Sequence, residues 1–177
     1  MKFNFRKAKI NDLDQIINIT NDAKVFLKES GSQQWNDPSG YPDRSDFLKD
    51  IHNNCLYVLC NEDIIVGFEA LIIGVDESYI DIDGSWLLDT SNYMTIHRIA
   101  INKDYRSQHI SKYLVSNAIE LAKSLDLDSV RGDTHILNVP MQKLFLSENF
   151  KHCGTITLMH TPYDNKRLAY EIIIKSL

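Results

Sequence analysis

The stretch IHRIAINKDYRSQHISKYL, residues 96–114, has the residue types and spacing that could bind a phosphate-bearing ligand. Apolar and β-branched residues end at Ile101, a basic turn containing Arg106 follows, and an amphipathic run begins at Ile110. This pattern predicts a strand, a loop and the start of a helix. The first N–H groups of a helix lack intrahelical partners and its dipole is positive there, so such a junction binds anions. We therefore predict a site for a group such as a pyrophosphate.

Two histidines could move protons beside that site. His97 lies in the predicted strand before the turn, and His135 follows another predicted strand that ends at Asp133-Thr134. Histidine changes charge near neutral pH and suits general acid–base catalysis. The alternatives are a structural hydrogen bond within the sheet for His97, and a bond to backbone or to Asp133 for His135. We expect no metal site, because no two of His97, His135 and the three cysteines have paired ligand spacing. We also expect no cysteine nucleophile, because Cys55 and Cys60 lie in a predicted strand of core character and Cys153 follows the last predicted helix.

Helical and alternating patterns along the chain predict an α/β protein. The unit formed by strand 94–101, helix 107–124 and strand 128–134 is a parallel crossover, and hairpins around it make the sheet mixed. We expect a mixed central sheet of about seven strands flanked by about four helices. The other expected elements are strands at 3–8, 55–60, 64–73, 154–160 and 168–175, helices at 13–29, 44–54 and 139–149, an irregular segment at 74–92 and a turn at 162–165.

Length and charge limit the class of protein. A chain of 177 residues suits a single domain spanning residues 1–177, and its net charge of −5 argues against a nucleic-acid binder. The N-terminal residues lack the apolar core of a signal peptide, and no apolar run approaches about 18 residues. We therefore expect a cytoplasmic protein that does not bind nucleic acid or a membrane.

The order of elements and two motifs resemble the GNAT superfamily of acyl-CoA-dependent N-acetyltransferases. The family pattern Arg-x-x-Gly-x-Gly/Ala is matched by Arg106, with Ile110 at the intervening apolar position and Leu114 in the helix core. A second pattern, Asn-x-x-Ala-x-x-Leu-Tyr-x-x-x-Gly-Phe, is matched by Asn138, Leu144 and Phe150. The departures are His109 and Ser111 at the small positions, Met141 for Ala, Phe145 for Tyr and Asn149 for Gly.

The resemblance implies a GNAT fold, acetyl-CoA as co-substrate and direct transfer of its acetyl group to a primary amine of a small molecule or peptide. It implies that His97 occupies a position where some relatives carry a catalytic base. His135 could relay a proton or protonate the thiolate, because Phe145 stands where many relatives carry a Tyr that does so. The residues implied to contact coenzyme A are Ile99, Ala100, Ile101, Arg106, Ser107, Gln108, His109, Ile110, Ser111, Asn138 and Phe145.

The implied acceptor site carries aromatic residues, namely Trp35, Tyr41 and Trp86. An acidic segment near it would suit a cationic amine through charge attraction and cation–π contact, although charge runs also commonly face water. That segment contains Glu69, Asp76, Glu77, Asp81, Asp83 and Asp89. Two rivals remain open: a non-catalytic acyl-CoA binder, favoured by Phe145 and His109, and a binder of another phosphate ligand because His109 blocks coenzyme A. Relatives of this kind often form homodimers, which is an option here.

Overall fold

The structure, a computed structural model, describes residues 3–36, 38–159 and 164–175. It contains four α-helices and eight strands in these described residues. The helices are α1 (Leu13–Glu29), α2 (Arg44–His52), α3 (Ile110–Ser124) and α4 (Val139–Ser147). The strands are β1 (Asn4–Lys7), β2 (Leu56–Asn61), β3 (Ile64–Ile73), β4 (Ile82–Gly84), β5 (Tyr93–Ile101), β6 (Ser129–Thr134), β7 (Lys151–Thr157) and β8 (Lys166–Ile173).

The eight strands form one mixed sheet in the order β1-β2-β3-β5-β6-β8-β7-β4. The predicted α/β architecture is confirmed. The expected irregular segment at 74–92 is wrong in one respect, because it contains strand β4, which pairs with β7. This strand has three residues, too few for an alternating pattern, and it depends on a close backbone approach. A Cβ on Gly84 would lie 2.2 Å from the carbonyl oxygen of Cys153.

The described chain groups into two compact units. The first unit comprises residues 1–71 and 97–114. In it the predicted hairpin of β2 and β3 is confirmed, with antiparallel pairing from Leu56 opposite Ala70 to Asn61 opposite Ile64. One face of this hairpin packs into a cluster with α1 and α2 that includes Ile16, Phe47, Val58 and Phe68. The other face packs into a cluster with the start of α3 that includes Leu59, Val66, Ile110 and Leu114.

The second unit comprises residues 72–96 and 115–177. Here the parallel ladder between β5 and β6 joins Tyr93–Ile96 to Ser129–Gly132, and β8 pairs antiparallel with both β6 and β7. The first two residues of the predicted turn at 162–165 lie outside the described residues. In the described part of the chain, each helix is too short or too polar to cross a membrane.

Candidate functional site

The loop between β5 and α3 is held by its own side chains and by β3. Asn102 accepts a hydrogen bond from the Asp104 N–H at 3.1 Å and donates its amide Nδ2–H to the Ile65 carbonyl at 3.1 Å. The Asn102 N–H also donates to the Val66 carbonyl at 3.0 Å. A 3₁₀ turn over Lys103–Tyr105 follows. The first half of the loop is thus fixed to the β3 backbone.

The second half of the loop contains two residues in the left-handed region. Ser107 has φ of 71° and His109 has φ of 59°. Such residues interrupt an α-helix, and α3 therefore begins at Ile110 rather than at the predicted 107. Glycine adopts this conformation at little cost. This explains why a small residue in the family pattern falls where His109 lies, and His109 adopts the required backbone with its side chain exposed.

This geometry leaves a group of backbone donors open. The N–H groups of Lys112 and Tyr113 both donate to the His109 carbonyl, at 3.0 and 3.2 Å. The described residues provide no hydrogen bond for the N–H groups of Ser107, His109, Ile110 and Ser111. The first turn of α3 also carries no acidic side chain that would occupy the positive end of its dipole. The residues present therefore fit a diphosphate, and the binding of coenzyme A by this loop stays a prediction.

Arg106 extends this loop as an exposed cation. Its guanidinium lies over the Phe26 ring of α1, with Cζ 4.7 Å from the ring centroid. An arginine packed on an aromatic ring keeps its N–H groups available, so Arg106 can still contact an anion. Beside it, Ile99 and Ile101 pack into the cluster of Ile110, and Ala100 is buried against α1 and α2.

Strand β5 is distorted at Arg98. This residue has φ of 50°, which is unusual and costly for a non-glycine residue within a strand. Its guanidinium holds Asp50 of α2, with Nε 2.7 Å from Oδ2 and Nη2 donating to Oδ1 at 2.8 Å. Its Nη1 donates to the Tyr41 hydroxyl at 2.7 Å. These contacts fix the distortion, and burial raises the pKa of both Asp50 and Tyr41.

Three predicted site residues in the first unit therefore have defined surroundings. Tyr41, expected to bind the acceptor, is tied to Arg98. Trp35, with φ of 64°, packs against the cluster that contains Phe47. His97 is half-buried and directly precedes the distortion at Arg98. The sequence offered no sign of the Arg98–Asp50 pair, because its partners are 48 residues apart.

In the second unit, both ring nitrogens of His135 are occupied. Nδ1 accepts a hydrogen bond from the Leu137 N–H at 3.1 Å, and Nε2 lies 2.9 Å from the Asp164 carboxylate. The alternative of a bond to backbone is thus observed, and the carboxylate seen to contact the ring is that of Asp164. Asp133 instead accepts a hydrogen bond from the Tyr79 hydroxyl at 2.7 Å. In this arrangement both ring nitrogens of His135 already have partners, and its catalytic role stays a prediction.

Trp86 is also held by neighbouring side chains. Its Nε1–H donates to the Tyr79 carbonyl at 2.9 Å, and its ring lies 4.2 Å from Arg131 Cζ. Arg131 in turn donates through Nε to buried Glu171 at 2.8 Å. The tryptophan predicted to line the acceptor site therefore has a packing role in the described structure.

The motif residues on α4 are placed as capping and core residues. The Asn138 side chain accepts a hydrogen bond from the Met141 N–H at 3.3 Å and caps α4. Phe145 is fully buried, and its ring fills the space that a Cβ on Gly132 would need. Contacts of either residue with coenzyme A stay predictions.

The residues of the acidic segment do not form one exposed surface, because they differ in burial and in their contacts. Glu69 is fully buried on β3, and no described residue forms a hydrogen bond with either of its carboxylate oxygens. This burial raises its pKa to about 8. Asp76 caps a 3₁₀ turn by accepting from the Ser78 N–H at 2.8 Å. The exposed members are Glu77, Asp81, Asp83 and Asp89.

Comparison with known proteins agrees with this geometry. Residues 14–150 match the acetyltransferase (GNAT) family. A GNAT-family acetyltransferase structure from Streptococcus agalactiae 2603 is 32% identical, with a TM-score of 0.89 over 98% of this chain and 96% of that one. A structure from Staphylococcus aureus Mu50 is 29% identical, with a TM-score of 0.73 over 97% of this chain and 99% of that one.

A more distant similarity concerns the fold alone. The ribosomal-protein-S18-alanine N-acetyltransferase from Escherichia coli is 11% identical, with a TM-score of 0.68 over 99% of this chain and 96% of that one. No curated protein sequence matches the chain significantly. The family match covers most of the chain, and the Streptococcus agalactiae structure covers nearly all of it. The chain therefore belongs to the GNAT family of acetyltransferases.

Proposed function

We propose that the protein transfers an acetyl group from acetyl-CoA to a primary amine of a small molecule or peptide. The observation that carries this proposal is the set of open N–H groups at Ser107, His109, Ile110 and Ser111. Several amides that converge at the positive end of a 15-residue helix are suited to a diphosphate, which coenzyme A carries. Members of this family typically use acetyl-CoA.

The end of strand β5 would hold and activate the thioester in a direct transfer. Acetyl-CoA supplies a thioester carbonyl, and the amine must lose its proton to attack that carbonyl. The backbone of Ile99–Ile101 would hold the pantetheine arm by hydrogen bonding along a strand. A backbone N–H in this stretch would stabilise the oxyanion that forms on attack. The distortion at Arg98 sets the direction of the neighbouring peptide groups.

His97 is the proposed base. It lies next to Arg98 and is half-buried, so it retains contact with solvent. A histidine can accept a proton from an ammonium group near neutral pH, directly or through one water molecule. His135 is the weaker candidate for a proton-transferring group, because the Leu137 N–H and the Asp164 carboxylate occupy its ring nitrogens.

A two-part experiment tests the proposal. Isothermal titration with coenzyme A measures binding, and release of free thiol from acetyl-CoA in the presence of an amine panel measures transfer. Binding together with amine-dependent thiol release supports the proposal. Binding without turnover on any amine would favour the non-catalytic acyl-CoA binder, which the fully buried Phe145 and the occupied His135 favour. Absence of coenzyme A binding would refute both functions.

A further inference from the structure

Arg167 of β8 is an arginine with unused donors in a buried position. The residue is 6% exposed. Its Nη1 donates to the carbonyl oxygens of Asp164, at 2.5 Å, and of Lys166, at 2.8 Å. The described residues give no hydrogen-bond partner to its Nε or Nη2.

Two carboxylates lie near this guanidinium without binding it. Asp133 and Asp164 both act on Arg167 through charge, while desolvation lowers its pKa. Asp164 is engaged by His135, and Asp133 accepts from the Tyr79 hydroxyl. The edge formed by Nε and Nη2 is the edge with which arginine binds a carboxylate through two parallel hydrogen bonds. A buried cation whose Nε and Nη2 have no partner among the described residues is suited to an anion from outside the chain.

Asp133 and Arg167 share one face of the sheet. Asp133 lies directly opposite Ala169, and Arg167 is two residues from Ala169 on the same strand. Side chains alternate between faces along a strand, so both project to the face of Ala169. Diagonal neighbours of this kind are about 7–8 Å apart between Cα atoms, and somewhat less between Cβ atoms. The Tyr79 hydroxyl holds only Oδ1 of Asp133, and the residue is half-buried, so the carboxylate keeps accepting capacity.

We propose that Arg167 binds a carboxylate of the acceptor and that Asp133 faces its amine, so that the acceptor is a free amino acid. This inference rests on the proposed acetyl transfer to a primary amine. An anionic and a cationic side chain at diagonal positions complement a molecule whose ammonium and carboxylate groups are separated by few bonds. A simple polyamine lacks the group that Arg167 would bind. A peptide presents its carboxylate at a greater distance from its terminal amine.

The test compares common amino acids with their carboxamides, which retain the amine and lose the negative charge. The wild-type kcat/KM should be about 10–100-fold higher for the acid, because hydrogen bonds to charged groups contribute strongly to binding. Arg167→Lys keeps the cation but loses the two-point edge, and Arg167→Gln removes the charge. Both variants should bring the ratio of acid to amide close to one. Both kcat/KM values in the ratio are measured on the same preparation of each variant. A smaller folded fraction lowers both values equally and leaves their ratio unchanged.

Lys166→Gln is the matched control, because Lys166 is the exposed neighbouring cation whose Nζ donates to Thr157 Oγ1 at 2.9 Å. It should keep the wild-type ratio. A wild-type ratio near one, or Arg167 variants that keep the preference for the acid, would overturn the inference while leaving amine acetylation intact. Dipeptides that react as well as free amino acids would overturn the assignment to a free amino acid.

If no amine is turned over, the proposed function is refuted, and a binding measurement then tests the carboxylate site by itself. Isothermal titration would compare an N-acetyl amino acid with its carboxamide. Tighter binding of the acid by wild type than by Arg167→Lys would still support the carboxylate site. Equal binding of the acid and the amide by the wild-type protein would overturn it.

Discussion

Replacing Glu69 by Gln should change how stability depends on pH. Glu69 is fully buried on β3, and neither carboxylate oxygen has a hydrogen-bond partner in residues 3–36, 38–159 and 164–175. Desolvation raises its pKa from the ordinary 4.5 to about 8. The folded protein therefore holds a proton that the unfolded chain releases between these two values. Stability is greatest below the unfolded pKa and falls as pH rises through the folded pKa.

The size of this effect follows from the two pKa values. The interval from 4.5 to about 8, at about 1.4 kcal/mol for each pH unit, gives a loss of about 5 kcal/mol in the free energy of unfolding. Denaturant unfolding at several pH values from 5 to 8 would measure it. In this range the free energy of unfolding of the wild type should fall with pH at a slope that approaches one proton released on unfolding, and Glu69→Gln should remove this slope. Glu120→Gln, at an exposed helix position, should keep the wild-type slope. Parallel curves for wild type and Glu69→Gln would refute the assignment of a protonated buried carboxyl.

Three further substitutions test the site. His97→Ala should lower kcat/KM by about 10²–10⁴-fold and remove the acidic limb of the pH–rate profile, and an unchanged rate would exclude His97 as the base. His109→Gly relieves a left-handed backbone at φ of 59°, so thermal unfolding should show about 0.5–1 kcal/mol of stabilisation with coenzyme A binding retained. Binding that appears only in this variant would show that the histidine blocks the ligand. Arg98→Met leaves Asp50 buried without its partner and should cost about 3–5 kcal/mol in denaturant unfolding; a loss below about 1 kcal/mol would contradict the role given to this pair.

The sequence predicts those parts of the fold that local patterns determine. The β2–β3 hairpin and the first half of the loop between β5 and α3 follow from apolar periodicity and turn residues. Helix α3 begins later than its amphipathic pattern, because the left-handed conformations of Ser107 and His109 depend on the loop as a whole. Strand β4 depends on a close contact between two glycines, which no periodicity reveals.

The side-chain partners were the less predictable part of the site. Tyr41 and Trp86 have the residue types of an acceptor site, yet each is bound by an arginine distant in sequence, Arg98 and Arg131. Asp133 and Arg167 become neighbours only through the register of β6 with β8. Such pairs arise from long-range strand pairing, so their spacing along the chain carries no recognisable pattern. The open amides of the loop, by contrast, follow from a local motif and were predicted.

The central claim is that these loop amides bind the diphosphate of coenzyme A. Amide ¹H–¹⁵N spectra during titration with coenzyme A, and separately with pantetheine, would test it most directly. Coenzyme A should shift the resonances of Ser107, His109, Ile110 and Ser111 more than those of Lys112 and Tyr113, whose N–H groups already donate to the His109 carbonyl. Pantetheine, which lacks the diphosphate, should leave these four resonances in place. Saturation with coenzyme A without a shift at these four amides would contradict the claim.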